Sequence, residues 1–329
     1  MRLSLEEARS LATGALSRLG FSQEHAAITA DHLVGAATRG VTFGGLPRIL
    51  AIKERMEEFG DRRQPIRVTH ETPQSATVDG GDHVGYVVAH RVAQMAVQKA
   101  KSHGMAIVGA NNTYYTGIFA HYIEMATREN LIAMAAGNGP AMTAPHGARE
   151  PRLGTNPIAW GFPTNDDPII WDIGTSTIMQ GELMMHARLG EEIAEGIALD
   201  GEGRPTRDPV AALRGAILAW GGHRGSGLSI VVQLLGILCD TPAIPVGMQE
   251  MGFLYIAIDP SLLMPADRFR ARASELANAI RGAAPVPGGG QVRVPFDGSI
   301  AQRKRALAEN AIELPDRVYH SLVALRDGA

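Results

Sequence analysis

The sequence predicts a mixed α/β (α+β) protein with helices at both ends and alternating strands and helices between them. Apolar residues recur at helical intervals through the segments 4–56 and 299–326. In the middle of the chain, short apolar runs bounded by turn residues alternate with longer amphipathic segments. The composition, 45% hydrophobic and 20% charged, is that of an ordinary globular protein.

Three helices are predicted at the N-terminal end. Ser4 and Glu7 have the spacing of a capping box, and Gly20 is expected to end the first helix. Two further helices are expected to start at Ser22 and Pro47. The helical ends of the chain are expected to pack together as one domain, formed by residues 1–70 and 296–329. Residues 71–295 are then an α/β domain.

Within and after that central region the pattern predicts the remaining elements in order. Strands are expected at 66–69, 76–79, 105–108, 131–135, 158–162, 169–171 and 252–258. Helices are expected at 84–102, 118–129, from about 175 onward, 209–220, 225–239, 268–281, 299–310 and 315–326, and the helix 225–239 is expected to be buried. The polar, glycine-containing stretches 190–208 and 285–290 are expected to be loops.

Charge and apolar patterning argue against several classes of protein. The formal net charge of −3 provides no general basic field for nucleic acid. The chain starts without an apolar signal core, and its longest apolar stretch, 228–239, is shorter than the roughly 20 residues of a membrane span. The single cysteine, Cys239, excludes an intramolecular disulfide and is expected to be a buried structural thiol. No pair of histidines has a metal-binding spacing, so no metal site is predicted. Together with the missing signal and membrane segments, the single cysteine predicts a soluble, cytoplasmic protein.

Glycine-rich loops are the next signal, although a Rossmann dinucleotide fingerprint after an early strand is missing. The segment 222–227, Gly-His-Arg-Gly-Ser-Gly, precedes a predicted helix, so its amides could face an anion. Arg224 would add a charge-assisted contact to a phosphate. The alternative is a tight turn where two elements meet.

Four glycine-containing segments follow one another along the chain: 145–151 (PHGAREP), 154–157 (GTNP), 172–176 (DIGTS) and 221–228 (GGHRGSGL). In this order they resemble the malate/L-lactate dehydrogenase family, which has no Rossmann domain. Relatives of this family include ureidoglycolate, sulfolactate and 2,3-diketo-L-gulonate oxidoreductases and piperideine-2-carboxylate reductase. The resemblance implies a mixed, largely antiparallel sheet flanked by helices, NAD or NADP as cofactor, and a homodimer joined through helices of the α/β domain.

The resemblance also implies which residues contact the cofactor. Arg224 stands where lysine is usual, which still favours a phosphate contact. Gly289 stands where glutamate is common, so this position lacks the carboxylate that relatives have there. The cofactor candidates are Gly139, Ile173, Gly174, Thr175, His223, Arg224, Gly225, Pro287, Gly288 and Gly289.

The catalytic pattern of the family is altered in this sequence. The two histidine-bearing segments of the family align with Phe43-Gly44-Gly45 and with 112–115, Asn-Thr-Tyr-Tyr, so that both histidines are missing. The resemblance implies that Arg48 holds a substrate carboxylate. It also implies that Tyr115 lies beside the reacting atom and that Asp172 assists catalysis. Arg48 could instead be a surface arginine at a helix start, and Asp172 could be the N-cap of the following helix.

These residues predict an enzyme that transfers hydride between NAD(P)H and a small carboxylate-bearing substrate. The substrate would be a 2-oxo/2-hydroxy acid or a cyclic 2-imino acid. An iminium already carries its proton, so its reduction needs less acid catalysis than that of a ketone. The alternative is a homologue that binds the cofactor but has lost or redirected the dehydrogenase chemistry.

Overall fold

The computed structural model describes residues 1–328, which form eleven α-helices, twelve β-strands and two short 3-10 helices (Thr42–Gly44 and Pro260–Leu262). The α-helices are α1 (Leu5–Arg18), α2 (Gln23–Thr38), α3 (Arg48–Phe59), α4 (Gly85–His103), α5 (Ala120–Thr127), α6 (Gln180–Leu189), α7 (Pro209–Arg214), α8 (His223–Ile237), α9 (Ala266–Arg281), α10 (Asp297–Glu309) and α11 (Asp316–Asp327). The strands are β1 (Arg2–Leu3), β2 (Arg67–Glu71), β3 (Ser75–Val84), β4 (Met105–Tyr114), β5 (Ile132–Gly137), β6 (Thr143–Ala144), β7 (Ile158–Phe162), β8 (Ile169–Ile173), β9 (Ala198–Leu199), β10 (Ala216–Leu218), β11 (Met251–Ile258) and β12 (Ile312–Glu313).

A seven-stranded sheet in the order β2-β3-β4-β11-β5-β7-β8 forms the centre of the molecule. Five of its six strand pairings are antiparallel, and only β3 and β4 are parallel. The predicted mixed, largely antiparallel sheet is therefore confirmed. Because β11 and β7 run opposite to both of their neighbours, β3, β4, β5 and β8 all point in the same direction. Their carboxyl ends meet at one edge of the sheet.

The two ends of the chain pack against each other. Strand β1 pairs with β12, and the amino group of Met1 donates a hydrogen bond to the carbonyl of Leu314 at 2.7 Å. A Cβ added at Gly14 in α1 would lie 2.9 Å from the Arg326 side chain in α11. The capping box of Ser4 and Glu7 is present at the start of α1, as predicted. The division into domains 1–70 with 296–329 and 71–295 stays a prediction.

Segments 175–179 and 215–220 were expected to be helical and are not. Helix α6 starts at Gln180 because the preceding chain bonds to loops and a strand: the amide of Thr175 donates to Thr155 O, and that of Thr177 to Leu218 O. Helix α7 ends at Arg214, since Gly215 has a non-helical backbone (φ −109°, ψ −120°) and β10 starts at the next residue, Ala216. Hydrogen bonds to distant chain segments therefore override local helix propensity in both places.

Helix α8 was expected to be buried, and this prediction is wrong. One face packs on the sheet through buried residues such as Val232 and Gly236. The opposite face carries five large apolar side chains that are between 38% and 64% exposed: Ile230, Val231, Leu234, Ile237 and Leu238. An apolar residue pattern on all sides of a helix cannot show which face the sheet covers.

The single cysteine follows α8 and is buried, as predicted. Burial raises the pKa of the Cys239 thiol to about 12, so the thiol stays protonated at neutral pH. Residues 1–328 contain no cluster of three or more His, Cys, Asp or Glu arranged to hold a metal ion. No helix among these residues is long and apolar enough to cross a membrane. The cytoplasmic location stays a prediction.

Candidate active site

A cavity of about 310 Å³ lies at the edge of the sheet where the codirectional strands end. Tyr115 follows β4, Gly139 lies just after β5, and Asp172 lies near the end of β8. Arg48, the first residue of α3, closes the cavity from the helical side. The structure thus brings the three predicted catalytic residues together, although 124 positions (172 − 48) separate Arg48 from Asp172.

Arg48 is half-buried in this cavity rather than on the open surface. Its guanidinium carbon lies 4.1 Å from the centre of the Tyr115 ring, a cation–π contact that fixes the side chain. No carboxylate among residues 1–328 forms an ion pair with it. A positive group without a protein counter-ion, at the edge of a small cavity, is suited to bind a substrate carboxylate.

Tyr115 is 7% exposed and has a left-handed backbone (φ 53°). Non-glycine residues rarely adopt this conformation, and such strain concentrates at functional sites. Burial raises the pKa of Tyr115, and the nearby Arg48 acts in the opposite direction. The hydroxyl is therefore protonated at neutral pH, so it can donate a hydrogen bond but is a poor general base.

Asp172 is the only carboxyl group that lines this cavity in the described part of the chain. Its Oδ2 accepts a hydrogen bond of 2.8 Å from the amide of Ala120, so it caps the start of α5 and not the helix that follows it. Burial raises the pKa of Asp172 to about 6, against the effect of the Ala120 and Phe119 amides. Its proton therefore titrates near neutral pH. No histidine of residues 1–328 lines the cavity.

Three of the predicted cofactor residues, Gly139, Ile173 and Gly174, form part of the cavity wall. A Cβ at Gly174 would lie 2.3 Å from the Met179 sulfur, so a larger residue would displace this wall. Thr175 lies directly behind the wall and is buried, and its hydroxyl donates to Thr155 O at 3.1 Å.

The start of α8 is tied to this wall. The indole Nε1 of Trp220 donates to Gly174 O at 2.8 Å, and a Cβ at Gly225 would lie 2.0 Å from Trp220 O. The chain therefore turns tightly here, as the alternative interpretation of these glycines allows. His223 and Arg224 are exposed on the first turn of the 15-residue helix α8.

The third predicted cofactor segment is separate from the cavity. Pro287, Gly288 and Gly289 lie in an exposed loop after α9 and are not among the residues that line the cavity. Their predicted contact with a cofactor stays a prediction.

The size of the cavity decides how a dinucleotide could fit. A volume of about 310 Å³ is enough for a nicotinamide ring beside a small acid, but not for a whole dinucleotide. The glycine-lined wall admits a flat ring closely, and the amides at the start of α8 together with Arg224 suit a phosphate outside the cavity. The residues present therefore fit a nicotinamide cofactor.

Sequence reasoning missed several residues of the cavity, above all Tyr86 in the first turn of α4. Asn138 was also missed; its side chain donates to Thr241 and accepts from the Gly252 amide, which fixes the end of β5. The available signal was positional, since Tyr86 follows β3 just as Tyr115 follows β4. Only the strand directions show that these chain positions meet.

Comparisons with known proteins agree with this architecture. The family described as malate/L-lactate dehydrogenase matches residues 3–323. The chain is 33% identical to the L-sulfolactate dehydrogenase of Methanothermobacter thermautotrophicus, over 99% of the chain and 96% of that protein. It is 31% identical to the Delta(1)-pyrroline-2-carboxylate/Delta(1)-piperideine-2-carboxylate reductase of Pseudomonas aeruginosa, over 99% of both. A dehydrogenase from Sinorhizobium meliloti has a similar structure, with a TM-score of 0.91, 30% identity, and coverage of 99% of this chain and 98% of that one.

Proposed function

Because this chain belongs to the malate/L-lactate dehydrogenase family of NAD(P)-dependent dehydrogenases and reductases, we propose that it reduces a small 2-oxo acid or cyclic 2-imino acid reversibly. One observation carries the proposal. Arg48, Tyr115 and Asp172 converge on a single cavity whose wall contains the cofactor candidates Gly139 and Gly174.

Each residue of the cavity has a separate role in the proposed reaction. The nicotinamide, when bound, supplies or accepts the hydride. Arg48 holds the substrate carboxylate and so orients the carbon that reacts. Asp172, with its pKa of about 6, exchanges a proton with the oxygen or nitrogen on that carbon. Tyr115 donates a hydrogen bond to the same atom, because burial keeps its hydroxyl protonated.

The proposal is tested by binding and turnover together. The purified protein is titrated with NADH and NADPH, and reduction of a panel of 2-oxo acids and of Δ1-piperideine-2-carboxylate is then followed by loss of nicotinamide absorbance. Micromolar binding of either cofactor with turnover of a panel member supports the proposal. Turnover of the imine without the matched ketones identifies the imine as the substrate class. Failure to bind either cofactor contradicts the proposed function.

A second candidate is a homologue that binds the cofactor without this chemistry. The observation that favours it is the raised pKa of Tyr115, which lacks the near-neutral titration of a typical proton donor. Binding of NADH or NADPH without turnover of any 2-oxo or 2-imino acid would support this candidate.

Replacement of Trp220 by phenylalanine is expected to weaken NADH binding roughly two- to tenfold, since one net hydrogen bond contributes about 0.5–1.5 kcal/mol. The variant loses the bond from the indole to Gly174 O that joins the cavity wall to the start of α8. Affinity is measured by calorimetry, because removing tryptophan alters fluorescence. Trp160→Phe is the control: Trp160 stacks on Phe162 and does not line the cavity. If both variants bind NADH as tightly as wild type, the hydrogen bond from Trp220 to Gly174 does not contribute to cofactor binding.

The exposed apolar face of α8 supports the proposal of a homodimer. Ile230, Leu234 and Leu238 recur at intervals of four residues and form one stripe, and Val231 and Ile237 lie beside it. A contiguous apolar stripe on a folded surface is typical of an interface. The two-fold pairing of this helix with its copy would cover the stripe.

We expect Leu234→Glu to convert the dimer into a monomer, because a carboxylate at the centre of the stripe would be buried without a partner. The state is measured by light scattering coupled to size-exclusion chromatography. Leu307→Glu on α10 is the control, since Leu307 is 51% exposed outside the stripe, compared with 58% for Leu234. A wild-type monomer, or a Leu234→Glu dimer, would contradict this interface.

A further inference from the structure

The cavity contains a buried tyrosine hydroxyl whose proton has no acceptor among residues 1–328. Tyr86 is 1% exposed and lines the cavity with Arg48 and Tyr115. Its hydroxyl makes no hydrogen bond of good geometry with any residue of 1–328, although the Arg48 guanidinium is near enough to donate weakly to its oxygen. A guanidinium has no acceptor, so the proton of the Tyr86 hydroxyl has no acceptor in the described chain. By contrast, the buried hydroxyls of Tyr122 and Tyr255 donate to the carbonyls of Thr116 and Tyr122 at 2.7 and 2.8 Å.

The ring of Tyr86 is held in place from two sides. Its centre lies 4.7 Å from that of the His32 ring, and a Cβ at Gly117 would lie 2.5 Å from its Cε1. His32 is itself fixed, because its Nε2 accepts a hydrogen bond from the Ile118 amide at 3.0 Å. The hydroxyl therefore cannot turn away to find a partner elsewhere. Burying an unpaired hydroxyl is costly, and a bound ligand would remove that cost.

Arg48 indicates which part of a ligand this hydroxyl meets. The guanidinium is near enough to act on the pKa of Tyr86, which burial raises and Arg48 lowers. Tyr86 thus remains a protonated donor beside a cation that has no carboxylate partner in the described chain. Asp172, the only acid among the described residues that line the cavity, accepts a hydrogen bond from the Ala120 amide. A donor next to an unpaired guanidinium is the arrangement that binds a planar carboxylate by several hydrogen bonds.

We propose that the Tyr86 hydroxyl donates a hydrogen bond to the substrate carboxylate that Arg48 holds, so that the two residues form one anchor for the acid group. This inference rests on the proposed function for the identity of the substrate. It assigns Tyr86 to binding and leaves the reacting atom to Asp172 and Tyr115. The site is then selective for free acids over the corresponding amides and esters.

Tyr86→Phe tests the anchor, since it keeps the ring between His32 and Gly117 and removes only the hydroxyl. We expect KM for the acid substrate to rise about tenfold, equal to about 1.4 kcal/mol, with kcat within about twofold of wild type. The affinity for NADH is expected to be unchanged, and the Tm to be no lower than that of wild type. Calorimetric binding of oxamate, a planar carboxylate, is expected to weaken by the same factor.

Tyr255→Phe is the matched control, because Tyr255 is equally buried but its hydroxyl is bonded and lies outside the cavity. It is expected to lower the Tm and leave KM and oxamate affinity unchanged. An unchanged KM and oxamate affinity in Tyr86→Phe would overturn the anchor. A fall in kcat at constant KM would also overturn it, since the hydroxyl would then act on the reacting atom.

Oxamate binding separates this inference from the proposed reaction. If wild type binds oxamate and Tyr86→Phe binds it about tenfold more weakly, but wild type reduces no acid of the panel, the anchor is supported and the reaction is contradicted. If wild type turns over an acid but its affinity for oxamate does not depend on Tyr86, the reaction is supported and the anchor is overturned. Wild type that does not bind oxamate at all also overturns the anchor.

Discussion

Replacing Arg48 by methionine is expected to lower kcat/KM for the acid substrate by on the order of a thousandfold, because losing one partner of a buried charged pair costs about 2–5 kcal/mol. Methionine keeps the apolar contact with the Tyr115 ring, so the variant removes the charge and the hydrogen bonds rather than the packing. Affinity for NADH is expected to change little, since Arg48 lies on the α3 side of the cavity and the glycine wall on the sheet side. Steady-state kinetics and cofactor calorimetry measure the two effects.

Two further variants separate charge from geometry at this position. Arg48→Lys keeps the charge but loses the planar fork, so its kcat/KM is expected between those of wild type and Arg48→Met. Lys53→Met removes a cation from the same helix, where Lys53 forms an exposed pair with Glu57, and is expected to have no effect. If Arg48→Met retains wild-type KM and kcat, the substrate carboxylate is held elsewhere.

The sequence was sufficient for most elements of the fold, because their signals are local. Each signal depends on neighbouring residues: the capping box at Ser4, the glycines that end helices, and the alternation of apolar segments. Predictions went wrong where distant chain segments decide the outcome. Residues 216–218 became β10 because they pair with β6 and β9, and the exposure of α8 depends on which face the sheet covers.

For the site, the sequence identified the residues that a family motif marks and missed those that only the fold brings near. Arg48, Tyr115 and Asp172 share one cavity as that resemblance implies. Tyr86 lies in no motif, and its relevance depends on its unbonded hydroxyl and on the direction of β3. Neither property can be seen in a string of residues, since both arise from tertiary packing.

Replacing Asp172 by asparagine is expected to lower kcat of reduction by about 10²- to 10⁴-fold, the usual contribution of a general acid. The carboxyl group is protonated below its pKa of about 6 and can then donate its proton. In wild type, reduction should therefore slow as the pH rises through about 6, and the reverse oxidation, which needs the carboxylate as a base, should become faster. Asp172→Asn should lose this titration in both directions, as kcat profiles between about pH 5 and 8 would show.

Asparagine is the informative replacement because its side-chain oxygen can still accept the hydrogen bond from the Ala120 amide and cap α5. Asp172→Ala removes that bond as well, so a lower Tm in this variant alone separates the structural role from the chemical one.

Tyr115→Phe decides between Tyr115 and Asp172 as the proton donor. If Tyr115 supplies the proton, Tyr115→Phe should abolish turnover, Asp172→Asn should retain it, and reduction by wild type should not slow as the pH rises through about 6, because burial raises the pKa of Tyr115 above its ordinary value. If Asp172 supplies the proton, Tyr115→Phe should retain the titration near pH 6 with a smaller loss of kcat, because a neutral tyrosine contributes one hydrogen bond to the reacting atom and not the proton itself.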